Sequence, residues 1–152
     1  MESNIQSLEE KINYTFKGRK LLIKALTHKT YAFEAKEPLE YNERLEFLGD
    51  SILGFVAAEA LYHTNKYFSE GELTRRRSNI VNNSFLAERA KELGIGENLL
   101  LGIGETKQDG ANNPTNLANT LEALIGAIYL DSNLKTVTDF IKEMVFEKDI
   151  QL

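Results

Sequence analysis

Three acidic side chains, Glu43, Glu46 and Asp50, stand at spacings of i, i+3 and i+7. On a helix each residue advances about 100°, so these carboxylates project within about 60° of one another and form one acidic edge. A fourth acid, Glu122, lies in the run Leu117 to Leu130, which is apolar nearly all the way round and predicts a buried helix. An ionised carboxylate alone there carries a large desolvation penalty, so Glu122 is expected to be protonated, paired with a base or bound to a metal. Asn119 precedes it by three residues and shares its face. If the two helices pack together, Glu46, Asp50, Asn119 and Glu122 converge into an all-oxygen site. Hard divalent ions such as Mg²⁺ favour such ligands, with waters completing the octahedron, and can activate water and stabilise phosphoryl charge. Plainer readings exist for the same residues. The first three suit a solvated helix face near an N-terminus, where acids complement the macrodipole. Glu122 suits an ion pair with Arg44 or Arg77.

The elements that must position these groups read as helices throughout, with no run of alternating β-branched or aromatic residues and with only two prolines, Pro38 and Pro114. Helices are predicted over about Ile5–Lys11, Gly18–His28, Asn42–His63, Glu70–Leu93, Glu97–Leu101, Thr115–Leu130 and Leu134–Phe146. The stretch from Asp109 to Pro114 is a loop by its glycine, asparagines and proline. Within the 42–63 helix, Leu45, Leu48, Ile52, Phe55, Val56 and Glu59 fall opposite the acidic edge and define its core side. Phe47 breaks this division, because it sits about 40° from Glu43 on the acidic face. A ring placed there either packs under a loop or meets a partner, since exposed aromatics are enriched at interfaces.

The 152 residues, 42% hydrophobic and 27% charged, predict a single all-α domain over 1–152 rather than a disordered or fibrous chain. No cysteine is present, which excludes a disulfide framework, a thiolate zinc site and a cysteine nucleophile and fits a reducing, cytoplasmic setting. No signal-peptide core or membrane-length apolar run occurs, so no membrane partner is expected. A net charge of −5, from 23 acids and 18 bases, argues against whole-surface attraction to a polyanion. Nucleic acid must then be met by local patches or through bound cations. Arg75, Arg76, Arg77, Lys17, Arg19 and Lys20 are candidate phosphate contacts, although a cationic run also makes an ordinary solvated face. His28 reads as a packed, hydrogen-bonded residue, because no serine or carboxylate partner stands near it in sequence.

The run Asn42 to Ser51, NERLEFLGDS, resembles the signature of the bacterial ribonuclease III family. Supporting blocks follow in family order: Leu26 to Tyr31, Glu70 to Thr74 with Arg77, and Glu122 to Asp131. The resemblance runs from about Leu8 to Phe146. It implies an all-helical nuclease domain that forms a symmetric homodimer and hydrolyses double-stranded RNA, leaving 5′-phosphates, 3′-hydroxyls and short 3′ overhangs. It further implies Mg²⁺, with Mn²⁺ as substitute, held at Glu46, Asp50 and Glu122 as metal and catalytic positions. Glu43 and Glu70 match acids lining the cleavage valley, and Phe47 matches an aromatic that enters a socket on the partner subunit.

Three departures qualify the transfer. Where the family usually has an aspartate, this sequence has Asn119, which offers one neutral oxygen at a metal and catalytic position. That is expected to lower metal affinity, and it is compatible with an active natural variant, an engineered inactivation or an inactive paralogue. The loop ahead of Pro114 reads Ala111-Asn112-Asn113 and lacks the usual basic residues. Family members in bacteria usually continue into a double-stranded-RNA-binding domain, whereas these residues stop at Leu152; the expectation is a catalytic domain cut from a longer protein. The leading expectation is a metal-dependent endoribonuclease that reads duplex shape, phosphates and 2′-hydroxyls. The alternative is a cleavage-deficient duplex-RNA-binding or assembly module, disabled through Asn119. A weaker third is a helical metalloprotein acting on a small phosphorylated substrate.

Overall fold

The computed structural model describes residues 2–146. Helix α1 spans Glu2–Ile12, α2 Arg19–Leu26, α3 Lys29–Glu34, α4 Glu43–Thr64, α5 Glu70–Val81 and α6 Asn83–Glu92. They are followed by α7 at Ile103–Lys107, α8 at Pro114–Asp131 and α9 at Leu134–Phe140, which runs on into a π-helical turn at Ile141–Phe146. Two 3₁₀ turns, Gly96–Asn98 and Gly110–Asn112, complete the described residues, and one isolated parallel bridge joins Thr27 to Leu100. The all-α expectation holds among these residues, and none of their helices is long and apolar enough to cross a membrane.

Side-chain caps set several of the boundaries. Asn113 accepts the Asn116 N–H at 3.1 Å and Pro114 takes the first helical position, where its missing N–H costs nothing. Asn133 caps α9 by accepting from Thr136 N–H at 2.8 Å. Ser69 does the same for α5, from Glu72 N–H at 3.2 Å. Asn82 accepts the Phe85 N–H at 2.9 Å with extended backbone, which ends α5 and starts α6. The single helix predicted over Glu70–Leu93 is thus two. The short helices α3 and α7, six and five residues long, were not predicted.

Helix α8 runs through the centre of the core. Leu117, Leu121, Leu124, Ile125 and Ile128 are each at most 1% exposed, and each such side chain contributes roughly 1.5–3 kcal/mol by leaving water. Around it pack α4, most extensively, then α6 and α2. The α4–α8 crossing is close because glycine stands on both sides of it. A Cβ on Gly49 would overlap the Glu122 carbonyl oxygen, and one on Gly126 would overlap the Leu45 carbonyl oxygen. At the far end of α8, Asp131 accepts from the Tyr14 hydroxyl at 2.6 Å and from the N–H groups of Lys17 and Gly18 at 2.9 Å each, tying the α1–α2 loop to the core.

Candidate functional site

The crossing brings the acidic edge of α4 against the Asn119–Glu122 face of α8. Asn42 fixes where α4 begins: its side chain is buried, with Nδ2 donating to the Ala25 carbonyl at 3.2 Å and its backbone N–H donating to Thr27 at 3.0 Å. From there Glu43 and Asp50 reach solvent and Glu46 is half-buried. Glu46 and Asn119 line one cleft, of about 200 Å³, together with Glu43, His28, Lys29 and Thr115. Glu122 lies on the inner side, 6% exposed, with its carboxyl in hydrogen-bonding contact with Asp50. With α4 packed on α8, the four residues are neighbours.

Their electrostatics differ from a set of free carboxylates. Burial, then the hydrogen bond to Asp50, then the Asp50 and Glu46 charges push the Glu122 carboxyl up from 4.5 to about 9. At neutral pH it is protonated and donates to Asp50, while its Oε2 has no protein partner. No ion pair joins Glu122 to Arg44 or Arg77 among the described residues. Burial, and after it the Glu43 and Asp50 charges, also raise the Glu46 carboxyl. Glu43 is drawn to Lys29, whose Nζ lies 3.5 Å away.

The expected divalent-ion site is corrected by this arrangement. Among the described residues, no three His, Cys, Asp or Glu side chains form a group able to hold a metal ion. The physical reason is local: a neutral amide occupies position 119 and Glu43 faces a lysine. The residues present do not fit Mg²⁺ or Mn²⁺.

The remaining candidates scatter over the surface. Glu70 is exposed at the start of α5 and enters no hydrogen bond or ion pair among the described residues. Arg75 and Arg77 are exposed on the same helix. Arg76 instead stacks on Phe68, its guanidinium 4.1 Å from the ring centroid, and its buried Nε lacks an acceptor. Phe47 is 76% exposed and packs under no loop. Phe55, assigned by the wheel to the core side, is 52% exposed, and Glu59 is exposed beside it. His28 is hydrogen-bonded, as read, through Thr30. Sequence reasoning assigned no role to Lys29 or the buried Asn42, although both lie inside the motif blocks, at Leu26 to Tyr31 and Asn42 to Ser51.

A ribonuclease-III-like family model matches residues 18–149. The ribonuclease 3 of Buchnera aphidicola subsp. Acyrthosiphon pisum (strain Tuc7) is 47% identical over 146 residues, 96% of this chain and 62% of that protein. The ribonuclease 3 of Proteus mirabilis (strain HI4320) is 46% identical over 137 residues, 90% of this chain and 58% of that one. The chain thus spans about three fifths of the length of these curated relatives. Among solved structures, the nuclease domain of ribonuclease III from Campylobacter jejuni superposes with a TM-score of 0.89 at 36% identity, covering 96% of this chain and 99% of that one. That structure is described as flexible in a region involved in dimer formation. Dicer from Pichia stipitis matches with a TM-score of 0.63 at 27% identity, over 87% of this chain and 55% of that one. With the helical frame, the α4–α8 crossing and these likenesses together, the chain belongs to the ribonuclease III family and has the fold of its nuclease domain.

Proposed function

We propose that residues 1–152 act as one cytoplasmic domain that binds double-stranded RNA as a homodimer and, with Asn119 in place, does not cleave it. The observation that carries this reading is the donor set at the α4–α8 crossing, where an amide stands at position 119 and, among the described residues, no three acidic or histidine side chains form a group able to hold a metal ion. Such a set keeps the shape of a nuclease site but lacks the anionic charge that phosphodiester hydrolysis draws on. In this reading Glu43 and Glu70 line the valley, and Arg75 and Arg77 contact phosphates. Phe47 meets the partner subunit.

The second reading, an active double-stranded-RNA endoribonuclease, is favoured by the likeness to proteins named ribonuclease 3. One experiment separates the two. A long perfect RNA duplex, with a single-stranded control, is incubated with the chain and with its Asn119→Asp variant across a Mg²⁺ titration, and binding and product are both followed. The expected outcome is duplex-selective binding by both proteins and no product from the unmodified chain at millimolar Mg²⁺. Turnover by the unmodified chain establishes the second reading, and indifference to duplex RNA removes both.

A further inference from the structure

One wall of the cleft that holds Glu46 and Asn119 is made by residues the acidic site does not use, chiefly His28, Lys29 and Thr115. The tautomer of His28 follows from its bonds. Nδ1 accepts the Thr30 N–H at 3.3 Å, so it carries no proton of its own. Thr30 Oγ1 lies 2.8 Å from Nδ1 and itself accepts the Gly102 N–H at 2.9 Å, which leaves its hydroxyl hydrogen to donate to Nδ1. The ring proton therefore sits on Nε2, a fixed donor with no partner among the described residues. Asn119, across the cleft, likewise makes no side-chain hydrogen bond among them, and Glu46 beside it offers acceptor oxygens.

This lining selects a kind of ligand. Glu43 and Glu46 repel a phosphate, and Lys29, the one cation on these walls, is already 3.5 Å from Glu43. A hydroxyl suits the walls better, since it accepts from His28 Nε2–H and donates to the Asn119 amide oxygen or to Glu46. About 200 Å³ is below the roughly 300–1,000 Å³ of drug-sized pockets and leaves room for a single sugar. We infer that the cleft receives a ribose 2′-hydroxyl of the bound duplex, donated to by His28 Nε2, so that His28 makes the domain prefer RNA to DNA. The 2′-hydroxyl is the group by which a protein tells the two apart. The inference rests on the duplex-RNA reading above.

The test is binding alone, in EDTA, by fluorescence anisotropy with labelled duplexes of one sequence: all-RNA, the same duplex with 2′-fluoro in place of 2′-hydroxyl, and all-DNA. The 2′-fluoro sugar keeps the A-form but removes the hydroxyl. The unmodified chain is expected to bind RNA roughly five- to tenfold more tightly than its 2′-fluoro counterpart, the worth of about one hydrogen bond. In His28→Asn the amide oxygen takes the place of Nδ1 in capping α3, while the Nε2 donor is lost. That variant is expected to melt as the parent does and to bind both A-form duplexes equally. Equal affinity of the parent for the two duplexes overturns the inference, as does an Asn variant that keeps the preference; if the variant fails to fold, the parent comparison decides alone. A parent that binds no RNA duplex overturns the duplex reading instead, and this inference with it.

Discussion

A carboxyl that is 6% exposed and touches a second carboxyl lowers its free energy by holding a proton or by finding a cation, and Glu122 holds the proton. Its acidity in the unfolded chain is the ordinary 4.5, against about 9 in the fold. Between those values the folded state binds more protons than the unfolded state, so stability falls as pH rises. The contribution is complete below 4.5 and is gone once pH passes about 9. Allowing for screening by solvent, urea melts at pH 6 and pH 9 should differ by about 1–2 kcal/mol. Glu122→Gln should flatten that difference, because an amide can donate to Asp50 but does not titrate; a variant as pH-sensitive as the parent would place the proton elsewhere. The burden on Glu122 was legible in the sequence, since the helix around it is apolar on every side. Which neighbour relieves it was not, because Arg44 and Arg77 were as available in sequence as Asp50 and only the helix crossing decides.

Helices α4 and α8 can present those side chains to each other only because their backbones touch at Gly49 and Gly126. Gly126→Ala should push the helices apart and cost about 3 kcal/mol, the upper end for overpacking. That corresponds to a fall of roughly 6–12 °C in Tm at this size, checked by calorimetry. An unchanged Tm would mean that the crossing relaxes freely. Helical periodicity foretold both helices and the acidic edge, because it depends only on 3.6 residues per turn. It failed at Asn82, where a side chain inside an otherwise helical pattern turns the chain, its Oδ1 accepting from Phe85 N–H and its Nδ2 donating back to the Ser78 and Asn79 carbonyls. It also failed at α3, where six residues are too few to show a period and the helix is held by His28 and by Thr30 on Gly102. Phe55 and Glu59 were placed on the core side because the wheel centred the buried face on Leu45, Leu48 and Ile52. In the fold Leu53, Val56, Ala57 and Leu61 are the buried residues of the later turns, so the core face is rotated away from Phe55 and Glu59.

At the scale of the whole molecule the notable surface is the exposed side of α4, where Phe47 is 76%, Phe55 52% and Tyr62 70% exposed. Those rings lie within about 80° on the helix, so they form one stripe rather than scattered contacts. A stripe of this kind can be covered by the same stripe of a second copy about a two-fold axis, which makes the interface self-complementary. Phe47→Ala should then weaken self-association by about 2 kcal/mol, near 30-fold in the dimer constant, as measured by sedimentation equilibrium. The consequence extends to RNA. On the proposed duplex-RNA reading, two protomers on one duplex make the second set of contacts intramolecular, so a protein driven to monomer should lose far more duplex affinity than a single ring provides. At concentrations between the two dimer constants, the variant should therefore bind long duplexes much more weakly than the parent, and raising its concentration should restore binding. A variant that dimerises as the parent does removes Phe47 from the interface, and one that is monomeric yet binds duplex with full affinity shows that each protomer acts alone.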